Sequence, residues 1–303
     1  MKIINDVVKH GKIIKSSIKK YGFFAEHNYM HYLYNESSAN KNVFFGFNRG
    51  KGILAQVNAE SNAWSLFPNG ILAPESERID LLLESINYIL KTQNAKKFAV
   101  ELSEDIRKSL LSALNKENNF RACSTSCILY WPVYSMKMWD SRLEGRKWKK
   151  LRNIKNRFYR KNNVEVADSR KVSKDELLSI LKSWINKRIG NDSVKKSYYT
   201  SLINNNFEGA DIAKTLHVNG KPCTITAGWK IPNSNNYYSA VGILDYSYHG
   251  LGEIANIDDL DRLKKNDYEH VDFGGSGKTL LYFKKKFKPD KIYKTYIFSI
   301  VRK

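Results

Sequence analysis

The chain has 303 residues, 42% of them hydrophobic, and a formal net charge of +21. This length holds two domains of about 150 residues, each able to bury its own core, and the composition excludes a wholly disordered chain. No apolar run approaches the ~20 residues of a membrane span, and the positive charge favours polyanionic partners: tRNA, anionic lipid headgroups or a nucleotide cofactor.

Met1–Tyr21 reads as a basic amphipathic helix. Ile3, Ile4, Val7 and Val8 dock, while Lys9, Lys12, Lys15, Lys19 and Lys20 stay wet. The segment lacks the apolar centre and cleavage site of a secretory signal, so a cytoplasmic protein is expected, with contact at a membrane surface as the alternative. Three cysteines fit a reducing compartment. Val43–Phe47, Gly52–Val57 and Ala63–Phe67 are predicted strands, and Pro68-Asn69-Gly70 a turn. Glu75–Thr92 is a predicted helix with Ile79, Leu82, Leu83, Ile86 and Ile89 on one side. Phe98–Leu102 is a strand, Ser103 caps a helix running to about Asn115, and Ala122–Pro132 is a further strand. Residues 1–132 thus form the first predicted domain and 133–303 the second.

The second domain opens with a predicted helix over Asp140–Asn162. Trp148, Leu151, Ile154 and Phe158 lie at helical spacing and face inward. The stretch Arg142–Lys171 is rich in arginine and lysine with Trp139, Trp148, Phe158 and Tyr159 interleaved, the residue types that a phosphate backbone with unstacked bases needs, and the face opposite the inward residues is cationic. Arg142, Arg146 and Arg152 are candidate contacts to tRNA or the acceptor. Val164–Ala167 is a strand, and Lys174–Ile189 and Ser193–Asn204 are helices. Asp211–Val218 and Pro222–Ile231 form a hairpin across Asn219-Gly220.

The last segment is the most informative. Tyr237–Leu244 is a strand, Ser247-Tyr248-His249-Gly250-Leu251-Gly252 a glycine loop, and Glu253–Lys264 a helix with Ile254, Ile257, Leu260 and Leu263 inward. His270–Phe273 is a short strand broken by Gly274-Gly275, and Leu280, Leu281, Phe283 and Phe287 lie on the next helix. A glycine loop between strand and helix sets free N–H groups at the positive end of a helix dipole, where an anion can sit.

This order resembles the second half of a GNAT acyltransferase domain. Gly250 and Gly252 occupy the glycine places of the Gln/Arg-x-x-Gly-x-Gly/Ala loop that holds the pyrophosphate of coenzyme A, and Ser247 replaces Gln/Arg. The ending VDFGGSGKTLLYFKKKFKP and the patch DSRLEGRKWKKLRNIKNRF resemble the tandem-GNAT proteins related to the C-terminal domain of phosphatidylglycerol lysyltransferases, a DUF2156-like family. The resemblance implies an α+β or mixed α/β fold of two tandem GNAT-like domains, each a mostly antiparallel mixed sheet flanked by helices. In such folds two central strands splay apart to leave a slot for the donor. It implies an acyltransferase taking acyl-CoA or aminoacyl-tRNA, with a small amine, peptide or peripheral lipid as acceptor and no metal.

The chemistry requires a general base and donors for an oxyanion. Asp245 is the first candidate base, matching an acidic position of the family, with Glu253, Asp272 and His249 behind it. Lys284 and Lys286 match the family's Phe-Lys-x-Lys-Phe motif and are expected to touch phosphate or the developing oxyanion. Lys278, Ser247, His249, Gly250 and Gly252 complete the expected donor contacts. Gly277-Lys278-Thr279 ends like a P-loop but lacks the leading glycine that motif requires. Cys123 and Cys127 stand in a strand-like context that does not suit a zinc site. The alternative class is a catalytically inactive scaffold of the same fold that binds RNA or an anionic membrane surface.

Overall fold

The computed structural model describes residues 1–116, 119–187 and 195–303. Its elements begin with β1 (Lys2–Ile4), α1 (Gly11–Tyr21), α2 (Tyr29–Tyr34), β2 (Asn40–Gly46), β3 (Gly52–Asn58), β4 (Ala63–Leu72), α3 (Arg78–Asn87), β5 (Phe98–Ser103), α4 (Glu104–Lys116), β6 (Phe120–Ala122) and β7 (Cys127–Ser135). They continue with α5 (Lys149–Lys161), β8 (Val164–Asp168), α6 (Lys174–Lys187), α7 (Lys196–Asn204), β9 (Ile212–Val218), β10 (Lys221–Pro222), β11 (Thr224–Lys230) and β12 (Asn236–Leu244). The last are α8 (Leu251–Lys265), β13 (His270–Asp272), α9 (Lys278–Lys284) and β14 (Lys291–Arg302).

The strands hydrogen-bond into one sheet in the order β1-β2-β3-β4-β5-β14-β7-β13-β12-β11-β9-β10, with β6 beside β14 and β8 beside β9. Each half repeats one plan. In the first, β2, β3 and β4 are antiparallel neighbours, and β4 pairs parallel with β5 only over Trp64–Ser65 and Phe98–Ala99. In the second, β9, β11 and β12 are antiparallel, and β12 pairs parallel with β13 only over Asn236–Tyr238 and His270–Asp272. Residues 132 and 133 lie inside β7, which pairs with β13 on one side and β14 on the other. The final strand β14 also pairs with β5, so the end of the chain is built into the N-terminal half.

Alternation along β14 explains that placement. Phe298 and Ile300 point into the N-terminal core beside Phe98, Val100 and Leu110, and all five are buried. Burying a side chain such as Phe298 stabilises by about 1.5–3 kcal/mol. In the C-terminal half Trp139, Trp148 and Leu151 pack with Leu260, Leu263 and Phe287. Between the halves lies an aromatic cluster of Phe24, Trp131, Trp229 and Tyr238.

Several elements differ from their sequence expectation. The first helix starts only at Gly11, because Lys2–Ile4 pairs with β2; Ile4 and Val7 are buried, but Val8 is 68% exposed. Pro68-Asn69-Gly70 does not end a strand. It bulges within β4, whose register passes from Ala55↔Leu66 to Ile53↔Ile71. Asn69 takes φ +46° there, and a Cβ at Gly70 would meet Leu54 O at 2.7 Å, so the bulge needs glycine. The predicted helix Asp140–Asn162 begins at Lys149. The Asp140 carboxylate accepts from the N–H groups of Arg142 and Glu144, and Leu143 and Gly145 take positive φ. An Asx turn thus outcompetes the helix. Ala122–Pro132 divides into β6 and β7, and Leu280 is 46% exposed rather than packed. The predicted helix ends at Ile189 and Ser193 lie outside the described residues. Asn219 and Gly220 both take positive φ between β9 and β10, as the Asn-Gly signal requires.

Candidate active site

The short pairing of β12 with β13 creates the gap around which the site is built. β12 runs on to Leu244, while β13 stops at Asp272 and Gly274, at φ +78°, turns the chain away. In the N-terminal half the matching gap between β4 and β5 is bridged. Asn69 Oδ1 accepts from the Ser103 N–H at 2.8 Å, tying the β4 bulge to the end of β5.

At the far end of β12 the loop is fastened by Asp245. Its carboxylate accepts from Ser247 N at 2.9 Å and Ser247 Oγ at 2.6 Å, and pairs with Lys221 Nζ at 3.2 Å. Burial pushes this carboxyl up, but the Ser247 and Lys221 contacts outweigh it and hold the group below the usual range. Its own carbonyl accepts from Ser183 Oγ and Lys187 Nζ. Asp245 and Ser247 therefore fix the shape of the loop at the end of β12.

Gly250, at φ +90°, occupies the N-cap position of α8, and no side chain caps that helix end. The Leu251 N–H donates to Tyr248 O at 3.2 Å, and the N–H groups that follow it in the first turn are left for an anion, favoured by the dipole. Two other elements flank this end. A Cβ at Gly250 would lie 3.1 Å from Ile154 of α5, and one at Gly252 would lie 3.4 Å from Phe283 of α9. Glu253 sits in the first turn and pairs with Lys286 Nζ at 2.8 Å, which also lies over the Phe283 ring. His249 is exposed in the turn, and Lys278 is exposed at the start of α9.

Lys284 lies at the root of the gap. It is 9% exposed, and its Nζ donates to Phe273 O at 2.6 Å and Gly274 O at 2.9 Å, which fixes the turn after β13. An ammonium has three N–H donors, so one remains. Burial lowers its pKa to about 8, and Asp272 opposes that shift. Asp272 accepts from Gly274 N at 2.8 Å and from the Tyr293 hydroxyl at 2.6 Å. Burial raises its pKa to about 6 against those hydrogen bonds and the charges of Lys284 and Lys291. This is the poise a general base needs near neutral pH.

Asp272 and Tyr293 line a cavity of about 730 Å³ between the halves, together with Phe23, Phe24, Ser103 and His270. Beside it stand carboxylates not anticipated from sequence. Glu26 lies 3.4 Å from the Tyr238 hydroxyl and 4.0 Å from His31 Nε2; burial, with Glu101 adding like charge, raises its pKa to about 8. Glu101 accepts from Thr295 Oγ1 at 2.6 Å, and Thr295 accepts from Trp131 Nε1 at 2.9 Å. One signal was available: Glu101 stands mid-strand in Phe98–Ser103, where an acid is costly unless partnered. Glu26, Tyr238 and Tyr293 carried none, since their neighbours are distant in sequence.

The remaining candidates separate from this site. Arg142 is exposed and pairs with Glu144, and Arg146 is exposed in the turn before α5. Arg152 donates to Leu143 O and Gly145 O, closing the loop that replaces the predicted helix turn. Among the described residues no hydrogen bond or ion pair joins Asp245 to Lys284.

No family model matches the chain, and no curated protein does. Solved structures do. The C-terminal domain (DUF2156) of a putative lysylphosphatidylglycerol synthetase from Agrobacterium fabrum matches with a TM-score of 0.68 at 16% identity, over 96% of this chain and 91% of that one. L-PGS from Bacillus licheniformis matches with a TM-score of 0.68 at 13% identity, over 95% and 90%. A tandem GNAT protein from the clavulanic acid biosynthesis pathway matches with a TM-score of 0.54 at 9% identity, over 99% and 98%. The chain therefore has the DUF2156-like fold: two tandem GNAT-like units in a mixed, mostly antiparallel sheet flanked by helices.

Proposed function

We propose that this protein is an acyltransferase that moves an acyl or aminoacyl group from a phosphate-bearing donor, acyl-CoA or aminoacyl-tRNA, to an amine or hydroxyl acceptor. The observation that carries this reading is the gap between β12 and β13, with a bare α8 N-terminus at one end and Asp272 and Lys284 at the other. The fold shared with L-PGS and the tandem GNAT protein supports it.

The α8 N-terminus would hold donor phosphate, and the acceptor would enter the cavity lined by Asp272. Its nitrogen or oxygen attacks the carbonyl carbon, and Asp272 takes the proton it loses. The bond from the carbonyl carbon to the donor oxygen or sulfur then breaks. Lys284, near its own pKa at neutral pH, can return a proton to that leaving atom through its unused N–H. Asp245 is not given the base role here, because its carboxylate is already occupied by Ser247 and Lys221.

The test is binding of charged tRNA, deacylated tRNA and acetyl-CoA side by side at low salt, with Lys284→Ala as control. Preference for charged tRNA, lost at higher salt, supports an aminoacyl donor. Saturable acetyl-CoA binding without tRNA preference supports an acyl-CoA donor. Binding of neither would sink the donor reading. Salt-sensitive binding of any RNA without transfer would instead favour an inactive scaffold, for which the exposed cations of α5 are the specific feature.

A further inference from the structure

Tyr282 on α9 is 78% exposed, more than any other large apolar or aromatic side chain among the described residues. Leu281 and Lys284 are buried, so α9 is held by its other side and presents Tyr282 to water. Lys278 and Lys286, one helical turn away on either side, and Lys285 surround it. Lys286 is drawn off by Glu253 and stacks on Phe283, not on Tyr282. Among the described residues no cation or second ring covers the Tyr282 ring, and Lys278 and Lys285 have no ion-pair partner.

This patch adjoins the proposed donor site. Phe283, the next residue, reaches the first turn of α8 at Gly252, where a Cβ would lie 3.4 Å from its ring, so α9 packs beside the helix end that forms the anion site. An open ring flanked by unpaired ammonium groups suits a planar base that carries phosphate. A lipid surface suits it less: Leu280 projects from another side of α9, so the exposed apolar area on this face is a single ring.

We infer that Tyr282, with Lys278 and Lys285, forms a stacking platform for the adenosine end of the donor. The inference rests on the donor reading above. Adenosine with nearby phosphate is common to coenzyme A and to the 3′ end of tRNA, so the platform would serve either source.

Calorimetric titration with coenzyme A, with phosphopantetheine (which lacks adenosine) and with a short RNA ending in CCA distinguishes the cases. Tyr282 is exposed, so Tyr282→Ala should fold. That variant should bind coenzyme A or the RNA about ten-fold more weakly, the loss expected of one base–aromatic stack, while Tyr282→Trp keeps the affinity. Weakening with coenzyme A alone, or with RNA alone, names the source. Phosphopantetheine binding, if the wild type shows it, should not change. If wild type binds a donor and Tyr282→Ala binds it equally well, the platform is wrong and the donor reading survives. If wild type binds neither donor, both fall. Loss of binding to anionic phosphatidylglycerol vesicles with nucleotide binding intact would overturn the platform in favour of a membrane contact.

Discussion

The Tyr293 hydroxyl donates to Asp272 Oδ2 at 2.6 Å, joining the last strand of the chain to the end of β13. That hydrogen bond favours the ionised carboxylate and opposes the burial that raises Asp272 to about 6. Tyr293→Phe should therefore move the acidic limb of the transfer rate to higher pH, with much of the rate recovered above it. Asp272→Asn should lower the rate by about 10²–10⁴-fold at all pH values, the usual worth of a general base. A limb that stays in place in Tyr293→Phe would remove Asp272 from the reaction.

With the base near 6 and Lys284 near 8, kcat/KM should be bell-shaped, rising through about pH 6 and falling through about pH 8. The sign follows from the roles: Asp272 must have lost its proton and Lys284 must keep its own. Steady-state rates from pH 5 to 9 check this. A rate still climbing at pH 9 would exclude Lys284 as the acid.

Lys284→Met removes both donors to Phe273 O and Gly274 O, leaving buried acceptors unpaired. Each unpaired group costs about 1–3 kcal/mol, so urea unfolding should show a loss of this order together with loss of transfer. Unchanged stability would mean that the turn after β13 is held without Lys284.

Asp245→Asn should affect the donor loop only. Its carboxylate organises Ser247, so donor KM should rise, but the acidic limb should keep its position. Movement of that limb would restore Asp245 as a candidate base.

Glu26 is raised from 4.5 to about 8 on folding, by burial first and Glu101 second. The folded state holds its proton more tightly than the unfolded state. Its contribution is therefore complete below about pH 4.5 and is lost as pH rises through about 8. His27 and His31 act in the opposite direction at lower pH, since burial depresses both to about 3. Above about pH 7.5 the histidines, with an ordinary value of 6.5 when unfolded, are largely neutral in either state, so Glu26 dominates as the pH approaches 8. Chemical denaturation should show wild type losing stability in that range and Glu26→Gln losing less.

Local signals were enough for much of the fold. Asn219-Gly220 specifies its hairpin because both positions need positive φ, and the apolar spacing of Ile254, Ile257, Leu260 and Leu263 specifies the buried face of α8. That helix begins at Leu251, two residues before the expected Glu253, because Gly250 takes the N-cap position; the tandem order of strands and helices follows from local rules. Local rules misled where a side chain competed with the backbone, as Asp140 does at the expected helix start, or where a proline and glycine served a bulge rather than a turn, as in β4.

The site itself belongs to tertiary structure. Asp245 stands first in the sequence because it matches an acidic position of the family; that Lys221 and Ser247 hold its carboxylate is a matter of the fold. Asp272 stands behind it as a candidate base in the sequence; its raised pKa comes from burial in the folded chain, and Tyr293, which β14 brings to it, opposes that rise. Glu26 and Glu101 become a buried acidic pair by the same assembly. Composition, turns and helix faces depend on near neighbours and are written in the sequence. Burial and electrostatic coupling arise between residues that lie from 21 positions apart, as Asp272 and Tyr293, to 212 apart, as Glu26 and Tyr238, and only the folded chain sets them.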